Sequence, residues 1–140
     1  MTDYIAFYGS LMERAKDPTA PSRAGLSKFV APCRVAGVLR DHGQYPGFFL
    51  AEQAPDIGSE APQIVEAELH EIIGPHAFVV FDRWEDYDGE DEANSPYLRR
   101  KIRLIEPDVD AWIYISRISE EDPMVPNGDW AAYRNARMKA

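Results

Sequence analysis

The segment Tyr8-Gly9-Ser10-Leu11 is the first of three stretches whose residue types could do chemistry. It follows a short apolar run that predicts a strand, and a Gly-Ser turn at a strand end can direct backbone N–H groups and one hydroxyl into a cavity. Such donors would hold a carboxylate or a developing oxyanion. The same four residues are also typical of an ordinary tight turn, and the tetrapeptide alone does not separate the two interpretations.

Glu85 is the second candidate, because its neighbours favour an unusual proton affinity. It lies between the aromatic residues Trp84 and Tyr87 and beside three aspartates. Apolar burial and nearby like charges both raise the pKa of a carboxyl group, toward the range in which it can act as a general base or acid. The alternative is a water-facing loop, since residues 82–92 contain seven acidic residues and one basic residue.

The third stretch is Tyr97-Leu98-Arg99-Arg100-Lys101, which brings a phenol and three cations directly after the acidic segment. These bases could simply offset the acids across the loop. Exposed ion pairs of that kind contribute only about 0–1 kcal/mol each, so a stabilising role for the cluster would be modest.

Nucleophilic chemistry and a structural zinc site are both disfavoured. Ser10 lacks the Gly-x-Ser-x-Gly context of a nucleophile elbow. Cys33 falls within a predicted strand, where packing is its expected role, and a single cysteine forms no intramolecular disulfide. The three histidines, His42, His70 and His76, lie far apart without the spacing of zinc ligands.

The elements that must position these residues follow from hydrophobic periodicity, since alternation predicts strands and an i, i+3, i+4, i+7 stripe predicts a helix. Strands are predicted at 4–8, 33–39, 64–72, 97–104 and 111–116, with a short apolar run at 48–50. A helix is predicted from Pro75 through Trp84, and a second one after Asp129, its expected N-cap. Loops are predicted at 17–23, 54–62 and 121–128. Because strands dominate without a repeating βαβ pattern, we expect an α+β fold.

Composition limits the classes of function. The formal net charge is −9 and the pI about 4.7, which argues against a nucleic-acid partner, because such binding needs Lys and Arg to neutralise phosphates. No apolar run is long enough for a membrane span and no leader pattern opens the sequence, so we expect no membrane partner and a cytoplasmic location. The 140 residues are expected to form one domain over 1–140.

In their order and spacing, several of these motifs resemble the γ-glutamylcyclotransferase-like superfamily, which includes the AIG2-like proteins and small bacterial relatives. The segments that carry the resemblance are Tyr8-Gly9-Ser10-Leu11, Tyr45-Pro46-Gly47, the strand at 65–69, Asp82-Arg83-Trp84-Glu85 and Tyr97-x-Arg99. Relatives often carry Gly where this chain has Asp86. That departure bears on the identity of the substrate more than on the fold.

The resemblance implies a small, mixed, closed or nearly closed β-barrel with flanking helices and a cavity at one mouth. It also implies that the loop from Tyr8 to Leu11 binds the ends of a γ-glutamyl group and that Glu85 acts as general base and then as general acid. Tyr97 and Tyr114 would line the pocket. Neither a cofactor nor a metal would be required, and the protein would work as a monomer or a homodimer.

We therefore expect an enzyme that releases 5-oxoproline from a small γ-glutamyl amine or γ-glutamyl amino acid, its partner being this small-molecule substrate. The alternative, from a different class, is a non-catalytic barrel that binds a small metabolite or a protein partner. The two differ in whether 5-oxoproline is formed.

Overall fold

The computed structural model describes residues 2–50 and 63–139, and the loop predicted at 54–62 lies outside the described residues. The strands are β1 (Tyr4–Phe7), β2 (Ser27–Asp41), β3 (Pro46–Leu50), β4 (Gln63–Ile72), β5 (Tyr97–Arg103) and β6 (Asp110–Ser116). The helices are α1 (Ala77–Trp84) and α2 (Trp130–Lys139), and short 3₁₀ turns lie at Glu13–Ala15, Glu92–Asn94 and Pro126–Gly128. The predicted α+β class is confirmed.

The six strands form one mixed sheet in the order β3-β2-β4-β1-β6-β5. Within the described residues, β1 and β6 pair in parallel and the other neighbours pair antiparallel. The sheet curls into a half-barrel, and side chains join its two ends. The Tyr97 hydroxyl at the start of β5 donates to the carbonyl of Pro46 at the start of β3, at 2.7 Å.

Strand β2 is longer than the predicted strand at 33–39. Its N-terminal part pairs with β4, and a shift of register between Phe29 and Ala31 interrupts the alternation there. Gly37 on β2 is required by close packing, because a Cβ at this position would lie 2.4 Å from the Phe48 ring.

Helix α1 packs against the sheet through the predicted stripe. Ala77 and Phe81 are buried, and the Phe81 ring meets Phe7 of β1 edge to face with centroids 5.1 Å apart. Asp129 precedes α2, and its Oδ1 accepts the N–H of Ala132 at 3.2 Å, as expected of an N-cap. Among the residues that the structure describes, no helix is long and apolar enough to cross a membrane.

Candidate active site

A cavity of about 240 Å³ opens where β1 ends, beside α1 and the starts of β3 and β5. Its volume is the share of roughly eight waters at about 30 Å³ each, which suits a ligand of amino-acid size. All seven residues predicted for the site line this cavity: Tyr8, Gly9, Ser10, Leu11, Glu85, Tyr97 and Tyr114. The fold thus brings together residues from four separate elements, while their roles stay predictions.

The loop after β1 is a tight turn in which the Met12 N–H donates to the carbonyl of Gly9 at 3.0 Å. Within the described residues, the N–H groups of Gly9, Ser10 and Leu11 make no such bond. The Ser10 hydroxyl accepts a hydrogen bond from the Trp84 indole at 3.0 Å, which ties the loop to the end of α1. The turn is therefore held in a fixed position at the cavity, and three of its N–H groups have no backbone partner among the described residues.

Three tyrosine hydroxyls surround the same cavity, and each donates its proton to another group of the protein. Tyr8 donates to the backbone carbonyl of Tyr114 at 2.7 Å, Tyr97 to that of Pro46 at 2.7 Å, and Tyr114 to a carboxylate oxygen of Asp82 at 2.6 Å. Because carbonyl and carboxylate oxygens only accept, each phenol oxygen keeps its lone pairs for other donors. The backbone N–H of Phe48 already donates to the Tyr8 oxygen, so the Tyr97 and Tyr114 oxygens are the ones left to accept from a ligand. This arrangement favours a ligand group rich in N–H donors.

Glu85 follows the last residue of α1, and its own N–H donates to the carbonyl of Phe81 at 3.0 Å. Burial raises the pKa of the Glu85 carboxyl to about 8, and the charges of Asp86 and Asp82 add to this effect. A carboxyl of this kind changes charge near neutral pH, which is what proton transfer in both directions requires. The water-facing alternative holds for the later residues Asp88, Glu90 and Asp91, which are exposed and do not line the cavity.

Burial raises the pKa of all three tyrosine hydroxyls well above the usual value, so they stay protonated at neutral pH. The charge of Glu85 contributes to the increase for Tyr8, Tyr97 and Tyr114 alike. Glu85 is therefore close enough to interact electrostatically with each of the three hydroxyls around the cavity.

The sequence placed Arg99 among the cations after the acidic segment and in the Tyr97-x-Arg99 motif, without a role of its own, and the structure gives it a more specific place. It forms two hydrogen bonds to Asp82, from Nε at 3.0 Å and from Nη2 at 3.2 Å. Asp82 in turn holds the Tyr114 hydroxyl. The spacing Tyr97-x-Arg99 was the available signal, because alternate residues of a strand share a face.

Other residues at the cavity were not predicted as site residues. Trp84, Asp86 and Tyr45 line it, together with Pro46, Pro96 and Ile118. Several of them are neighbours of predicted residues in the sequence. They were not predicted, because the side of each turn that faces the cavity depends on the tertiary packing.

The residues considered for other chemistry lie elsewhere. Cys33 is buried in the core, where burial raises the pKa of its thiol to about 12. His42 contacts Ser116 Oγ at 2.9 Å and Asp122 at 2.6 Å, but Ser116 is 2% exposed and its oxygen also accepts a backbone N–H. This trio therefore fastens the fold. Among the residues with assigned positions, no cluster of His, Cys, Asp and Glu could hold a metal ion.

The curled sheet and its cavity define a small α+β protein with a pocket sized for a small molecule. The chain belongs to the family described as Gamma-glutamyl cyclotransferase, AIG2-like, whose family model matches residues 5–132. The resemblance stated from the motifs is thus confirmed. No curated protein matches the chain significantly.

Solved structures share the fold at low sequence identity. The uncharacterized protein PH0828 from Pyrococcus horikoshii is 15% identical with a TM-score of 0.67, and the match covers 98% of this chain and 97% of that one. The uropathogenic E. coli-specific protein c4763 is 17% identical with a TM-score of 0.68, covering 96% and 97%. An AIG2-like protein from Mus musculus is 16% identical with a TM-score of 0.56, covering 86% and 80%.

Proposed function

We propose that the protein is a γ-glutamylcyclotransferase-type enzyme that releases 5-oxoproline from a small γ-glutamyl amine or γ-glutamyl amino acid. The observation that carries the proposal is the half-buried carboxyl of Glu85, with its pKa raised to about 8, in a cavity that also holds the Tyr97 and Tyr114 hydroxyls as acceptors and a turn with unpaired backbone donors. Membership of the family supports the same reaction class.

The polarity of the cavity matches the groups of a γ-glutamyl substrate. The α-amine carries N–H donors, for which the lone pairs of Tyr97 and Tyr114 are acceptors. The α-carboxylate and the carbonyl oxygen need donors, which the backbone of Gly9 to Leu11 can supply. A substrate bound between these two sets has its amine held near its own γ-carbonyl carbon.

The reaction needs one proton transfer in each direction and no oxidant. The neutral α-amine attacks the γ-carbonyl carbon with its lone pair, which forms the ring bond, and the nitrogen gives up one proton to the ionised Glu85. The amide bond to the leaving amine then breaks as Glu85 returns that proton to the leaving nitrogen. The products are 5-oxoproline and a free amine, and the enzyme ends in its starting protonation state.

The proposal is tested by incubating the protein with a panel of γ-glutamyl amines and γ-glutamyl amino acids and measuring 5-oxoproline by mass spectrometry. We expect 5-oxoproline and the free amine in equal amounts from at least one compound. The Glu85→Gln variant should form almost none, whereas Glu90→Gln, in the exposed part of the same acidic segment, should match the parent.

Two outcomes would contradict the proposal. Silence across a broad panel, with binding of one compound detected by calorimetry, would favour the non-catalytic barrel. Equal turnover by the parent and Glu85→Gln would show that another group transfers the proton.

A further inference from the structure

An ion pair lies behind the wall of the cavity, between α1 and β5. Asp82 on α1 and Arg99 on β5 each keep about 20% of the side chain exposed, and two hydrogen bonds of 3.0 and 3.2 Å join them. This two-point contact fixes the plane of the carboxylate as well as its position. Neither residue lines the cavity itself, so any effect on a ligand must pass through a neighbour.

Aromatic rings hold the Arg99 guanidinium in place. Its central carbon lies 3.9 Å from the centroid of the Phe78 ring and 5.0 Å from that of Trp112. A planar guanidinium packed on ring faces keeps one orientation, which a flexible ammonium on the same strand would not. Arg99 is therefore a rigid support for the carboxylate of Asp82.

Asp82 reaches the cavity in two ways. Its Oδ1 accepts the proton of the Tyr114 hydroxyl at 2.6 Å. This bond fixes the direction of the Tyr114 O–H, so the lone pairs of the Tyr114 oxygen point away from Asp82. It also stands three residues before Glu85, and residues at this spacing share one side of a helix end. The charge of Asp82 raises the pKa of Glu85, after burial and the charge of Asp86.

The groups around Glu85 come from every element packed against it. Asp82 and Asp86 belong to the end of α1 and the turn after it, and the neutral hydroxyls belong to Tyr8, Tyr97 and Tyr114 of the sheet. Of the two aspartates, Asp82 is the one whose charge is balanced by a fixed guanidinium, that of Arg99.

We propose that Arg99 and Asp82 are positioning residues of the cavity: Arg99 fixes the Asp82 carboxylate, which orients the Tyr114 hydroxyl and places a partly balanced negative charge beside Glu85. The inference rests on the proposed function, because the proton affinity of Glu85 matters for catalysis only if Glu85 transfers the proton. The effect of Arg99 and Asp82 on Glu85 is nevertheless present in the protein without substrate and can be measured there.

The test is a titration of the Glu85 carboxyl by NMR, in protein labelled with ¹³C at the glutamate side-chain carboxyl carbon. The Glu85→Gln variant identifies the signal. Asp82→Asn removes a like charge and should lower the titration midpoint by roughly 0.5–1 pH unit, the size expected for one nearby charge at a partly solvated site. Arg99→Gln leaves Asp82 unbalanced and should raise the midpoint by a similar amount.

Matched variants separate charge from structure. Arg99→Lys keeps the cation and should leave the midpoint within about 0.3 pH unit of the parent, the remaining change reflecting the lost two-point contact. Arg100→Gln makes the same charge change at the next position, where Arg100 binds Glu92 instead, and should leave the midpoint unchanged.

Shifts of the same sign in Asp82→Asn and Arg99→Gln, or no shift in either, would overturn the inference and leave the pair with a purely structural role. If Arg99→Gln does not fold, Asp82→Asn and Arg99→Lys still decide the matter, because a midpoint unmoved by Asp82→Asn contradicts the proposal. The expected midpoints without any formation of 5-oxoproline would contradict the proposed function alone.

Discussion

Replacing Glu85 by Gln should stabilise the protein more strongly as the pH rises. The folded carboxyl has a pKa of about 8, whereas an ordinary glutamate has 4.5. Between these two values the folded state holds a proton that the unfolded state has lost, so the parent loses stability as the pH rises through this window. Above about pH 8 the penalty is complete, and Gln, which does not titrate, never incurs it.

The size of the effect follows from the shift in pKa. The rise in the Glu85 pKa from 4.5 to about 8 lowers the free energy of unfolding by at most ~5 kcal/mol at high pH. Because water reaches part of the Glu85 side chain, we expect about 2 kcal/mol, which remains a large fraction of a typical domain's stability.

Urea unfolding of the parent and Glu85→Gln at about pH 5 and about pH 9 measures this difference through linear extrapolation. The two proteins should be similar at the lower pH, and the variant should be more stable at the higher one. Glu90→Gln, at an exposed position, serves as the control and should show no such trend. A difference between parent and Glu85→Gln that does not change with pH would refute the raised pKa and the reasoning built on it.

Two further substitutions test the turns around the cavity. Asp86 has a φ of 54°, in the left-handed region that glycine adopts without strain. Asp86→Gly should therefore add about 0.5–1 kcal/mol to the free energy of unfolding measured with urea, and a less stable variant would contradict this reasoning. The NMR titration midpoint of Glu85 should also fall, because a like charge is removed. At Gly9 a Cβ would lie 2.9 Å from Pro46 Cγ, so a valine there would change the turn beside the cavity. Gly9→Val should stay folded by circular dichroism but bind 5-oxoproline roughly tenfold or more weakly in calorimetry. Unchanged binding would show that the turn is only structural.

The parts of the fold that depend on local patterns were predictable from the sequence. The stripe from Ala77 to Trp84 predicts α1 because an amphipathic helix must bury one face, and Phe81 is buried as that stripe requires. Asp129 predicts the start of α2 because a cap acts on residues close in sequence.

The N-terminal part of β2 was not predictable in the same way. Residues 27–32 show no regular alternation, since the register shifts between Phe29 and Ala31, and Pro32 is unusual inside a strand. Pairing with β4 makes this segment a strand, and that pairing is a long-range property of the sheet.

The candidate site shows the same division. The order of the motifs predicted Tyr8 to Leu11, Glu85 and Tyr97, because each lies at the end of a recognisable element, whereas Tyr114, inside β6, was expected from the family resemblance. The pair of Asp82 and Arg99 escaped, since 17 positions separate them and only the packing of α1 against β5 brings them together. Contacts of this kind depend on tertiary structure, which local periodicity does not encode.

The central claim, that Glu85 transfers the proton in the cyclisation, is tested most directly by the pH dependence of 5-oxoproline formation in the parent and in Glu85→Gln. With the best substrate of the panel, the parent's kcat/KM should rise with an ionisation of Glu85 near pH 8, where Glu85 becomes the base, beside the ionisation of the substrate α-amine, which a titration of the free substrate identifies. Glu85→Gln should lose roughly 10²–10⁴-fold in kcat together with that ionisation. A folded Glu85→Gln variant that keeps the parental rate, or loses rate but retains the same ionisation, would contradict the account.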